Sequence, residues 1–127
     1  MFDANRLLSA ALIIFGAICC LLYPLAAFWP SGWAWHEGSP AENNYYMMIV
    51  AIYATLGVFL IRAAKAPVAN ASLIWFTVVS SIVHAGVMTV QALASPMHYG
   101  HFIGDIPALL LVALVLGVLM VKAVHSQ

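Results

Sequence analysis

Three of the five histidines and two of the four carboxylates of this sequence gather in two short stretches. His36 and Glu37 stand in one, His98, His101 and Asp105 in the other. Imidazole nitrogen and carboxylate oxygen are donors that zinc, copper or iron accept. His36, His98, His101 and Asp105 are therefore candidate metal ligands as a set. His98 and His101 are three apart, a spacing that serves one metal where the chain is helical or turn-like. Met97 beside them adds a soft sulfur. Neither order nor spacing matches an established metal signature, and histidines lying in water at a membrane surface would show the same pattern.

A second constellation lies between these histidines and the middle of the chain. Thr77, Ser81, His84, Met88, Gln91 and Ser95 follow one another at spacings of 4, 3, 4, 3 and 4. That rhythm puts all six on one stripe of a helix. His84 falls mid-way along an apolar run, where an ionisable side chain is expensive and marks a functional site by default. The stripe can line a ligand, proton or metal site, with His84 as its reactive group and Met88 and Gln91 against a cofactor. The alternative is a neutral His84 that hydrogen-bonds across helices and fixes their packing.

Other polar residues have local explanations. Ser39-Pro40-Ala41-Glu42 reads as a helix start, with Ser39 as N-cap, Pro40 in the first turn and Glu42 reaching back. Asp105 in Gly104-Asp105-Ile106-Pro107 also suits an N-cap. A capping carboxylate still faces the positive end of a helix, so neither reading removes it from a site. Cys19 and Cys20 are about 100° apart around a helix, which suits neither a mutual disulfide nor a shared metal; they read as apolar filler. No GxSxG, HExxH, phosphate loop or dinucleotide glycine pattern occurs.

What must position these residues follows from composition. Of 127 residues, 65% are hydrophobic and 6% charged, and the mean hydropathy is +1.04. Soluble domains carry about 25% charged residues. Four Lys/Arg and four Asp/Glu cannot solvate a globule of this size. The composition excludes a soluble enzyme, a disordered chain and a nucleic-acid binder with a basic face. An integral membrane protein remains. Each spanning helix needs about 20 apolar residues, and four apolar runs nearly exhaust the chain: about 6–28, 40–64, 72–94 and 105–124. None alternates strictly, so the expectation is an all-α, four-helix transmembrane bundle in one domain, not a β-barrel. The first run, interrupted only by Tyr23-Pro24, is longer than a cleaved signal core and reads as a retained helix. Gly16, Gly57, Gly86 and Gly117 give each run one inner glycine, which suits close helix approach.

Four alternating spans put Arg6, Arg62, Lys65 and Lys122 on one side. The positive-inside rule makes that side cytoplasmic, with both termini in and the protein in a bacterial inner membrane. Trp29, Trp33 and Trp35, the two histidine stretches, and Glu42 then share the outer side, as an interfacial aromatic belt would.

Around the second run, Gly32-Trp33-Ala34-Trp35-His36, then Gly38, Pro40-Ala41, Asn43 and Met47-Met48, resemble the styrene oxide isomerase family; Gly104-Asp105-Ile106 looks similar too. The match covers about a fifth of the chain and needs small gaps between His36 and Met47. The resemblance implies a four-helix membrane enzyme that binds haem b through His36, orients substrate with Asn43 and opens an epoxide on ferric iron as Lewis acid. The chain also looks like the wider pool of uncharacterised bacterial four-helix membrane proteins, which implies no chemistry.

Two functions fit these observations. One is a bundle with a His-lined outer site for haem, a metal ion or a lipophilic ligand, with haem-dependent isomerase chemistry if it is an enzyme. The other is a non-catalytic accessory or assembly subunit, its polar stripe bonded to a larger membrane complex. The lipid bilayer is a partner in both, and a homo-oligomer is compatible with either.

Overall fold

The computed structural model describes residues 3–30 and 38–126, all helices and short connections. Five α-helices occur among them: α1 (Ala4–Cys20), α2 (Leu22–Phe28), α3 (Asn44–Ala63), α4 (Ala71–Ala94) and α5 (Asp105–His125). Short 3-10 segments precede the last three, at Pro40–Glu42, Val68–Asn70 and Pro96–Phe102. Asn44–Ala63, Val68–Ala94 and Pro96–His125 are each long and apolar enough to cross a bilayer, and the bent pair of α1 and α2 makes a fourth if taken as one span. Helix ends lie close to the ends of the apolar runs, because chain polarity changes there.

The caps differ from the sequence reading. Asn43, not Ser39, is the N-cap of α3: its side chain accepts from the Tyr46 N–H at 2.9 Å. Ser39 instead accepts from Ala41 N–H at 3.4 Å and caps only the 3-10 turn at Pro40–Glu42. Two capping signals four residues apart compete here, and the long helix takes the later one. Asp3 caps α1 by accepting from Asn5 N–H at 3.0 Å. Arg62 lies in the last turn of α3 and Lys122 in that of α5, each cation near the negative end of a helix dipole.

The first apolar run is not one straight helix. α1 and α2 meet at Leu21 with a bend of 62°. Pro24 explains the break. Proline lacks the N–H that would reach the Cys20 carbonyl, and its ring crowds that same carbonyl. Leu21 N–H is shared between the carbonyls of Ala17 and Ile18, and hydrogen bonding resumes from Leu25 N–H to Leu21.

α1 packs against α3 and against α5, and α5 packs against α4, while α3 and α4 make few close backbone approaches. Leu8 and Leu12 of α1, Leu60 and Ala63 of α3, Ile74 and Val78 of α4, and Leu116, Met120 and Ala123 of α5 form one buried apolar cluster. It joins the start of α1, the end of α3, the start of α4 and the end of α5. Arg6, Arg62, Lys65 and Lys122 all belong to these segments, so one end of the bundle is both the basic end and the dry end.

One glycine pair sets the α1–α3 crossing. A Cβ on Gly16 would lie 2.7 Å from the Gly57 carbonyl oxygen, and one on Gly57 would collide with the Gly16 carbonyl. Only glycine at both positions allows this approach. Cys20 sits on the same seam, with its thiol donating to the Ala54 carbonyl at 3.6 Å. A Cβ on Gly86 would meet no heavy atom within 4 Å, and one on Gly117 would meet Val78 at an ordinary 3.7 Å.

Candidate functional site

Away from the basic end the bundle changes character. There, among the described residues, the side chains that pair come from α3, α4, the Pro96–Phe102 turn and the first residue of α5.

The Pro96–Phe102 segment places the two histidines. A 3-10 helix has three residues per turn, so side chains at i and i+3 eclipse. His98 and His101 therefore stack, with ring centroids 5.8 Å apart and planes 21° from parallel. Asp105 follows one turn later as the first residue of α5. The His101 Nδ1–H donates to its carboxylate, 2.9 Å from both oxygens, and both residues are buried. Gly104, not Asp105, occupies the N-cap position of α5, without a side-chain cap; the Asp105 carboxylate meets the Asp105 and Ile106 backbone N–H groups at the helix start and also bonds His101. This bond fixes which ring nitrogen of His101 carries the proton and presents Nε2 as the remaining donor or ligand atom.

The second pair bridges α3 and α4. The Tyr53 hydroxyl and His84 Nδ1 share a hydrogen bond of 2.6 Å, with ring centroids 5.9 Å apart. It joins the two helices whose backbones stay apart. Tyr46 lies two turns before Tyr53 on the same face of α3, and both are half-buried.

The other sequence candidates divide. Along the α4 stripe, Thr77 and Ser81 are buried, His84, Met88 and Ser95 half-buried, and Gln91 exposed. Thr77 lies in the dry half, its hydroxyl donating to the Leu73 carbonyl of its own helix at 2.9 Å. Asn43 is exposed and occupied as a cap, which leaves no observed contact with the pairs. His36, Glu37, Trp33 and Trp35 lie outside the described residues. Among the described residues no group of three or more His, Cys, Asp or Glu stands ready to hold a metal ion. His98, His101 and Asp105 form a histidine–carboxylate pair with a stacked neighbour instead.

Sequence reasoning missed Tyr53 and Tyr46. Their signal was present, since residues seven apart on a helix share a face. It was submerged in the aromatic content of a membrane chain.

These features describe an all-α protein with several helices long and apolar enough to cross a membrane, a buried His–Asp pair and a half-buried Tyr–His pair. The chain belongs to a family of unknown function, DUF6632, whose model matches residues 3–127. No curated protein and no solved structure matches it. No match links the chain to the styrene oxide isomerases, so that resemblance rests on its local residues alone.

Proposed function

We propose that this chain is a four-span membrane protein with both termini in the cytoplasm, and that its outer half binds a small lipophilic molecule by a polar head group. One observation carries this reading: an otherwise apolar bundle holds two hydrogen-bonded side-chain pairs away from its basic end, His101–Asp105 and Tyr53–His84. Ionisable groups at such depth are retained for function more often than for packing. A neutral lipophilic molecule would reach this place through the bilayer. Its hydroxyl or carbonyl then meets a donor or acceptor on either pair. Haem is one member of this ligand class. If haem is the ligand, His101, held by Asp105 as ligating histidines are held by their outer carboxylates, or His36 by resemblance, would hold its iron.

The reading is tested on protein purified in a neutral detergent, by its absorption spectrum and by mass spectrometry of an organic extract. Wild type is expected to retain one lipophilic compound through size exclusion, and His101→Ala to lose it. A Soret band identifies that compound as haem, and His36→Ala against His101→Ala then assigns the ligand. A colourless protein with an empty extract that copurifies with other membrane subunits would overturn the site in favour of an accessory subunit. Gln91, exposed on the α4 stripe, is the feature that favours this second reading.

A further inference from the structure

The basic end carries a groove that the outer site does not involve. It has a volume of about 680 Å³ and runs between the first turns of α1 and the connection from α3 to α4. Arg6 and Lys65 line it together with Asn5, Ala10, Ile13 and Val68. Two cations and an amide thus stand over an apolar wall. Ser9 holds the groove's two sides together: its hydroxyl donates to the Ala64 carbonyl at 2.8 Å. Pro67, buried in the same connection, fixes the backbone there. The nearest acid, Asp3, is occupied in capping α1 and does not line the groove.

A soluble anion would need the cations and have no use for the wall. An anionic lipid needs both, since its phosphate lies at the membrane surface and its chains run down the apolar helix face. Basic pockets between helices at the membrane surface are known to select such head groups. We propose that this groove binds the phosphate of an anionic glycerophospholipid, with Arg6 and Lys65 on the phosphodiester and Ala10 and Ile13 along an acyl chain. The proposal needs a membrane-embedded bundle but neither the outer ligand nor a particular orientation.

Phosphatidylglycerol and phosphatidylcholine are titrated separately onto the full chain in neutral detergent, with bound lipid counted by native mass spectrometry. Wild type is expected to prefer phosphatidylglycerol. Arg6→Gln/Lys65→Gln should weaken that binding on the order of tenfold or more. The charge-matched control Arg62→Gln/Lys122→Gln, outside the groove, should retain it. Circular dichroism checks that each variant keeps its helices, and single Arg6→Gln serves if the double variant does not fold. Equal loss in groove and control variants would reduce the effect to general surface charge and overturn the site. Displacement of the lipid by millimolar inorganic phosphate would make the ligand a soluble anion and overturn the lipid assignment.

Discussion

At the scale of single residues, the two hydrogen-bonded pairs differ in what their loss should do. Tyr53→Phe deletes one hydroxyl and leaves the ring packing. Interhelical hydrogen bonds in membranes are worth about 0.6 kcal/mol on average and up to about 1.7, so a small fall in stability is expected. His101→Ala is different, because Asp105 is buried and would be left without its imidazole partner. A hydrogen bond to a charged group contributes about 1.5–3 kcal/mol, and only the backbone N–H groups of Asp105 and Ile106 would remain to the carboxylate. Thermal unfolding in detergent should therefore rank His101→Ala below Tyr53→Phe. The reverse order would mean that Asp105 finds water or another donor and is not held by His101. Asp105→Asn alone, which keeps an acceptor oxygen for the His101 N–H, should cost less than His101→Ala.

At the scale of helices, the four inner glycines look alike in sequence and are not alike in the fold. Gly57→Ala would push α1 and α3 apart, because the new methyl would meet the Gly16 carbonyl, the Cys20 sulfur at 2.8 Å and Cys19 at 3.0 Å. Overpacking of this kind costs about 1–3 kcal/mol. Gly86→Ala meets nothing within 4 Å and should be neutral or stabilising by up to about 1 kcal/mol, since alanine is the better helix former. Parallel melts of the two variants check the contrast, and an equally stable Gly57→Ala would disprove the close crossing. This difference marks where sequence reading stops. Apolar run length depends on local composition, so the helices were legible from it. Which glycine meets another helix depends on rotation about the helix axis, and no single run encodes that. The site divides in the same way. The 4-3 rhythm through His84 was readable, whereas its bond to Tyr53 needs the α3–α4 placement. The His98 and His101 spacing was visible. Its outcome, a stacked pair aimed at Asp105, depends on Pro96–Phe102 being a 3-10 helix and not a loop.

For the whole molecule, the coincidence of the basic end with the dry end ties topology to packing. Arg6, Arg62, Lys65 and Lys122 sit on segments joined by one apolar cluster, so any insertion that keeps the fold keeps all four cations on one side. The positive-inside rule then expects that side in the cytoplasm. A fluorescent protein fused after Gln127 should glow, and a phosphatase fused there should be inactive. Active phosphatase would reverse the orientation while leaving the common end intact.

The break at Leu21 bears on how the molecule matches its solvent. At about 1.5 Å of rise per residue, the 17 residues of α1 reach about 25 Å, short of the roughly 30 Å hydrocarbon core. The seven residues of α2, turned aside by 62°, advance only about 5 Å further along the α1 axis. The angled pair therefore has an effective height of about 30 Å, where an unbroken helix of the same residues would stand several ångströms taller and have to lean or thicken the bilayer around it. If the pair is taken as one span, Pro24 would act as a length adjuster, trimming an over-long apolar segment towards the thickness of the membrane while α1 keeps the angle at which its glycine seam meets α3.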